Sequence, residues 1–347
     1  MKQYKSLDLA KFVCAILIII LHTAPFSSYS RALTFGLRNI VTVIAVPFFF
    51  MTSGFLAFKK LDALDTAKQK TYMAGYLKRL AVMYLIWSGV YFGFVVVKWV
   101  RRGFTVYSVL EYIKDFFFEG SYSTIWFLPA LFTAVLLVYL LRRKLSYGAI
   151  FAVSCAVYIF TLGGSSYYGL VTQVPVIRWV YDLYYSFFDS IKNGVCFGMI
   201  FVSMGAMLSR NEDRVMADRS VGKAMVPVVA FGMLLAVEEF LVAYLNWNMR
   251  GVDTVMALVP FTYFFARFVL ILDLDIKDSV CARLRKYSIL MFLCQRIPLS
   301  VIDLFMADTV FATNSAVHFI AVLSATMLIS FGILRGSEKY KPMRYAF

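Results

Sequence analysis

Acid, histidine and the signatures of soluble catalysis are scarce in this chain. Two histidines and 20 acidic residues are spread over 347 positions, and charged residues make up 16% of the sequence against 61% hydrophobic. That balance leaves too little polar surface to cover a water-soluble globule. No Gly-x-Ser-x-Gly elbow, glycine-rich phosphate loop or His-Glu-x-x-His pair occurs, so any chemistry has to be built inside a helical bundle rather than on a familiar soluble motif. The five cysteines, Cys14, Cys155, Cys196, Cys281 and Cys294, have no paired spacing. They indicate neither a disulfide framework nor a zinc site, and they read as small apolar residues. No metal is expected, and no internal repeat, low-complexity segment or large soluble domain is visible.

What the chain does have is a series of long apolar runs. They lie around residues 7–24, 37–58, 77–97, 126–141, 147–163, 194–208, 224–245, 255–272, 287–307 and 315–334, each near the length that crosses a bilayer. The fourth, fifth and sixth are short, and the sixth has an alternative, earlier start inside the aromatic stretch Trp179 to Phe188. The fold expected is all-α, a polytopic membrane protein of about ten transmembrane helices. With the N-terminus inside, 24 of the 35 Lys and Arg fall on inner segments and nine on outer ones, which predicts that both termini are cytoplasmic. The net charge of +15 is then largely an orientation signal rather than a nucleic-acid footprint. The first run carries charge on its own face, ends His-Thr-Ala-Pro and lacks a small-residue cleavage site, so it is expected to be a retained span. Residues 1–334 read as one transmembrane domain and 335–347 as a short basic cytoplasmic tail at the anionic leaflet. The long outer segments 98–125 and 164–193 are rich in aromatics, which suits interfacial or re-entrant structure.

Ionisable groups inside spans are costly, and the first span holds three: Asp8, Lys11 and His22. Eleven residues of helix carry the chain roughly 16 Å from Lys11 to His22 and return it to within about 20° of the same face. Asp8 lies one turn before Lys11 and is placed to pair with it. A neutral imidazole near the outer end suits a general base or a transient acyl carrier; the plainer alternative is an interfacial histidine bonded to a loop. Lys78 and Arg79 open the third run. They are candidates for the phosphates of a cytosolic donor, or else orientation signals at the headgroups. In the second run, Pro47 predicts a kink and Gly54 a close approach of another backbone. Trp126 is a belt or substrate-lining residue. Glu238 and Glu239 stand mid-span with Arg267 and Arg296 as candidate partners, either as structural ion pairs or along a substrate or proton path. Asp303 and His318 lie toward the outer halves of the last two spans.

Together these residues resemble the acyltransferase-3 family of membrane proteins that O-acylate glycans and other acceptors. Lys11 and His22 match its Arg/Lys, ten residues, His motif, with Asp8 where the family usually has Asp. The stretch Pro47 to Leu56, Trp126-Phe127-Leu128, Lys192-Asn193-Gly194, Phe197-Gly198 and Gly205 are similar to further landmarks. The chain departs from the pattern at Tyr76, where an Arg often precedes Arg79 by three residues. It departs again at Gln295 before Arg296, where a His is common, and at Thr124 before Trp126. The His22-Thr23-Ala24-Pro25 sequence and the Asn-Gly segment also resemble the membrane half of serine racemases linked to glycopeptide resistance.

The resemblance implies a membrane O-acyltransferase. It would take an acyl group, expected to be acetyl, from cytosolic acetyl-CoA or another acyl-CoA to a hydroxyl of an extracytoplasmic envelope glycan or related acceptor. His22, Lys11 and Asp8 would be catalytic, and Lys78 and Arg79 would bind the donor. Trp126, Glu238, Glu239, Gln295 and Arg296 would line the substrate. The expected partners are the lipid bilayer and the acceptor, with transfer completed either directly or by a separate extracytoplasmic enzyme; no nucleic acid is expected. The expected location is the bacterial cytoplasmic membrane. A transporter of a small polar solute such as an amino acid is the competing reading, with Glu238, Glu239 and Arg267 along its path, and a non-catalytic scaffold is the third.

Overall fold

The computed structural model describes residues 4–251 and 253–347; Lys2, one of the basic residues assigned to the inner face, lies outside them. Among the described residues every regular element is a helix. The main ones are α1 (Lys5–Thr23), α2 (Ala45–Asp62), α3 (Thr66–Arg102), α4 (Phe127–Leu141), α5 (Tyr147–Gly164), α6 (Met199–Arg210), α7 (Val221–Tyr244), α8 (Leu258–Ile271), α9 (Asp278–Cys294), α10 (Arg296–Phe305) and α11 (Ser315–Lys339).

Length and composition support seven membrane-crossing stretches among the described residues: α1, Arg31–Asp62 around α2, α3, α5, α7, Asp278–Phe305 across α9 and α10, and α11. Three shorter apolar helices, Phe127–Leu141, Gly194–Arg210 and Leu258–Ile271, occupy the remaining expected places. The protein is an integral membrane protein, and it is all-helical as expected.

Several boundaries differ from the apolar runs, for local reasons. Helix α3 starts at Thr66, because residues 66–74 hold good helix formers and no proline, so the helix outruns its apolar part. Lys78 and Arg79 therefore sit three turns inside α3 rather than at its start. A π turn at Gly36–Val41 and a 3-10 turn at Thr42–Ile44 precede α2. Pro47 offers no N–H to the Val43 carbonyl, so the irregularity falls one turn ahead of the proline. The ninth run is broken at Gln295, between α9 and α10. Pro298 cannot donate to the Cys294 carbonyl and crowds it, which accounts for the break. The sixth stretch opens with a π turn at Gly194–Gly198, and the aromatic segment before it is a separate short helix, Pro175–Tyr185. A second short helix, Val106–Phe118, lies in the segment 98–125, with Tyr107 and Phe117 exposed.

By contact the chain divides into two compact units, one of Met1–Leu7, Asn39–Leu77 and Ala130–Leu274, the other of Asp8–Arg38, Lys78–Pro129 and Asp275–Phe347. In the first, α2 packs most extensively on α6. A Cβ on Gly54 would run into the Val202 carbonyl and one on Gly205 into that of Met51, so the two backbones touch there, as Gly54 predicted. Within lipid, helix association depends on such close packing, because tails are as apolar as the side chains. Phe48, Phe50, Phe55 and Phe58 of α2 are fully buried around this seam.

The second unit holds most of α1 and α3, with α9, α10 and α11 packed together. The residues expected to form a tail do not begin at 335: α11 runs to Lys339, and a 3-10 turn, Lys341–Ala346, follows. That turn is tied down, since the Trp87 indole donates to the Ala346 carbonyl at 2.9 Å and Arg344 Nε to the Ser337 carbonyl at 3.0 Å. All five cysteines are free thiols, four of them buried.

Candidate active site

Asp8, Lys11, His22, Lys78, Arg79, Trp126, Gln295 and Arg296 all belong to the second unit; Glu238 and Glu239 belong to the first.

At the start of α1 the pairing differs from the one expected. Asp8, 4% exposed, accepts from Arg285 of α9 twice, Nε to Oδ1 at 2.9 Å and Nη2 to Oδ2 at 2.7 Å. A planar guanidinium matches a carboxylate in two bonds, which an ammonium one turn away cannot do. Lys11 is half-buried and makes no ion pair within contact distance among the described residues. It feels the attraction of Asp8 and the repulsion of Arg285. The Asp8 carboxylate being compensated already, Lys11 is a cation without an ion pair among the described residues on this face. Arg285 was missed by sequence reasoning, because one basic residue among four near the start of α9 carries no local signal.

His22 stands in the last turn of α1 and is exposed. Ala24 takes a left-handed conformation, φ 44°, and turns the chain away directly after it. The turn is clasped to the start of α11. Ser315 Oγ donates to the Pro25 carbonyl at 2.8 Å, Ser28 and Ser315 exchange backbone-to-hydroxyl bonds at 3.1 and 3.2 Å, and Tyr29 OH donates to Asn314 Oδ1 at 3.0 Å. Three attachments therefore fix the height of the imidazole. Arg296 and Arg38 lie close enough to act electrostatically on the ring.

Gln295 and Arg296 occupy the break between α9 and α10. Gln295 is fully buried and its amide donates to the Phe292 carbonyl at 3.1 Å, but Gln295 Oε1 and Arg296 Nε have no partner among the described residues. Among the described residues Arg296 pairs with Asp303, at 3.8 Å. Buried polar atoms are nearly always satisfied, so unmet ones beside a helix break mark a place where water or a substrate completes the bonding. His318 takes no part among these contacts, its Nδ1 lying 2.7 Å from the Phe311 carbonyl.

Trp126 follows a tight fold. Gly120, φ 100°, would strike the Trp126 backbone if it carried a side chain. Before it, Tyr122 stacks on Tyr91 with ring centroids 4.8 Å apart, its hydroxyl 2.8 Å from Ser300 Oγ, and Lys98 lies 4.5 Å over its ring. Tyr91 donates to the Leu293 carbonyl beside the helix break and also feels Arg296. Sequence reasoning missed this shelf, although Tyr84, Trp87, Tyr91 and Lys98 recur at helical spacing on α3. Lys78 and Arg79 are both exposed on the same helix, without an ion pair among the described residues.

In the first unit Glu238 is a structural anchor. It accepts from the Met256 and Ala257 backbones at 2.6 and 2.7 Å, capping the start of α8, and from the Tyr167 hydroxyl. Among the described residues Arg267 does not pair with it, because the chain folds two orphan N–H groups of a helix start onto the carboxylate instead. Glu239 is 1% exposed, with Oε1 unpartnered, and Arg267 Nε is likewise unpartnered among the described residues.

The model of a family described as an acyltransferase domain, acyltransferase-3, matches residues 4–335. An amino-acid racemase of Enterococcus faecalis is 28% identical over 99% of this chain and 47% of its own length. A serine/alanine racemase of Enterococcus gallinarum is 24% identical over 75% of this chain and 36% of its own. The chain thus spans about half the length, or less, of these curated relatives. No solved structure matches.

Proposed function

The chain belongs to the acyltransferase-3 family, and from that premise we propose that it transfers an acyl group, acetyl in the first instance, from cytosolic acyl-CoA to a hydroxyl of an extracytoplasmic envelope glycan or related acceptor. The observation that carries this reading is an exposed imidazole in the last turn of an apolar helix, directly before a turn clasped to the start of α11. In the direct form of the reaction His22 takes the acceptor's hydroxyl proton as that oxygen attacks the thioester carbonyl. The carbon–sulfur bond breaks, and CoA leaves as a thiol with the proton that His22 returns. In the relay form the acyl group rests on His22 between two such steps. In this scheme Arg296 offsets charge on the carbonyl oxygen.

Acyl-CoA is large and multiply anionic, so passing only the acyl group avoids carrying those charges through lipid. Lys78 and Arg79, exposed and without an ion pair among the described residues, hold the donor phosphates in this scheme. Lys11 keeps the α1 face positive, with the Asp8 and Arg285 pair fixing the helix. Gln295 and Trp126 line the acceptor path; Glu238, already spent on a helix cap, does not. The bacterial cytoplasmic membrane fits a donor on one side and an envelope acceptor on the other. The test is transfer of isotope-labelled acetyl from acetyl-CoA to envelope material by membranes holding the parent or His22→Ala. Label that appears equally with both removes the proposal.

A second reading has one observation in its favour. The relative that aligns over nearly all of this chain is named for amino-acid racemisation and is about twice as long. A membrane half that passes an amino acid would fit such a protein. Uptake of labelled serine into vesicles separates the two, since an acyltransferase leaves it unchanged.

A further inference from the structure

We propose that the second unit carries a binding cleft for the phosphate headgroup of an anionic lipid, between α9 and α11. The cleft has a volume of about 380 Å³. From α9 it is lined by Arg283, Lys286 and Tyr287, which recur at the three- and four-residue spacing of one helix face. Arg285 is turned to the other side and engaged with Asp8, so the cations of this helix end divide between two tasks. From α11 it is lined by Phe331, Leu334, Arg335, Ser337 and Glu338, with Phe331 one helical turn before Arg335.

Charge and polarity together select the occupant. Three basic side chains face one acid, and Glu338 is already 3.2 Å from Arg335, which leaves an excess of positive charge around a space large enough for a headgroup. The polar end continues into an apolar strip along α11, where Phe331 is 52% and Leu328 71% exposed. Leu328, Phe331, Arg335 and Glu338 follow one another along a single helix face. From Leu328 to Arg335 the strip is about 10 Å long. A molecule with a phosphodiester at one end and hydrocarbon at the other satisfies both halves, whereas a soluble phosphate compound leaves the apolar strip unused. The cleft lies at the membrane face where α9 begins and α11 ends, in reach of one leaflet's headgroups.

The test is native mass spectrometry of the full chain in detergent, titrated with phosphatidylglycerol, phosphatidylcholine or adenosine 3′,5′-bisphosphate. Phosphatidylglycerol should bind with a clear preference, and each of Arg283→Gln, Lys286→Gln and Arg335→Gln should weaken it about fivefold. Glu338→Gln, which removes the acid and leaves Arg335 free, should tighten it severalfold. That variant decides the matter if the basic variants fail to fold, because weaker or unchanged binding there overturns the proposal. So does a well-folded triple variant that keeps the preference. Displacement of the lipid by equal adenosine bisphosphate also overturns it, since the cleft then belongs to a soluble phosphate compound.

Discussion

Asp62 and Lys11 each stand on a membrane helix of this protein, one in either unit, and their surroundings could hardly differ more. Asp62 accepts from Arg142 at 2.7 Å, from the Tyr147 hydroxyl at 3.1 and 3.2 Å, and from Arg210 at 3.4 Å. Lys11 has no such partner, and neither do the His22 ring, Arg296 Nε or Gln295 Oε1 among the described residues. A charged group whose bonding is closed by protein stabilises one arrangement of helices and has nothing left to offer a ligand. A group left open is costly unless something else completes it. By this measure most buried charges of the first unit are closed by protein, while the second unit leaves groups open at the proposed site. Glu239, Thr254 and Arg267 are exceptions in the first unit, and they are where this contrast is most easily broken.

The largest effect should come from the seam that holds. Gly205→Val places a side chain against the Met51 backbone, and the helices cannot separate without losing the contacts that drive association in lipid. No monodisperse protein should be recovered on size-exclusion chromatography. Recovery of a stable, active variant would mean that α2 and α6 are not in backbone contact.

The open side should behave in the opposite way. His22→Ala should leave elution and thermal midpoint near the parent, because the ring is exposed, while acyl transfer falls about 10² to 10⁴-fold, the usual worth of a general acid–base. If turnover persists in a well-folded sample, the acyltransferase mechanism fails and amino-acid passage moves ahead.

Glu238→Ala probes the closed side more gently. It strips the cap from two backbone donors and the Tyr167 hydroxyl, each loss costing roughly 1 to 3 kcal/mol. The thermal midpoint should drop by several degrees while transfer per folded molecule holds. Reduced turnover with unchanged stability would return Glu238 to the substrate path.

How much of this was legible beforehand follows the same division. The apolar runs predicted where helices lie, because burial in lipid is written into composition, and Gly54 predicted a backbone contact, because only a missing side chain permits one. The break at Gln295 was readable from Pro298 and was not read. Partners distant in sequence were not readable: Arg285 looks like any basic residue at a helix start, and nothing near Glu238 announces that a helix 18 residues later will need its carboxylate. The irregular turns before α2 and the clasp of Ser28 on Ser315 depend on tertiary fit that no window of sequence contains.

Lys11 sharpens the contrast within the second unit. Since Asp8 is held by Arg285, Lys11→Met removes a charge without orphaning its neighbour, so the protein should fold normally and lose about tenfold or more in transfer, while Lys11→Arg retains most of it. Arg285→Gln should do the reverse and cost stability, by uncovering a buried carboxylate. Equal stability losses in Lys11→Met and Arg285→Gln would show that Asp8 depends on both.

The smallest effect belongs to the most exposed cations. Lys78 and Arg79 are exposed on α3; at the inner surface, where water and salt would screen each charge, either one contributes modestly to binding an anion. Arg79→Ala should weaken acetyl-CoA binding about two- to fivefold in a direct titration, and Lys78→Ala by no more, because a planar guanidinium grips a phosphate in two bonds and an ammonium in one. The loss should shrink as salt is raised, whereas the loss in His22→Ala should not depend on salt. If Arg79→Ala binds the donor as tightly as the parent at low salt, the phosphates rest elsewhere. Tyr76, three residues before it, would then be a departure that took the donor site away from this helix face.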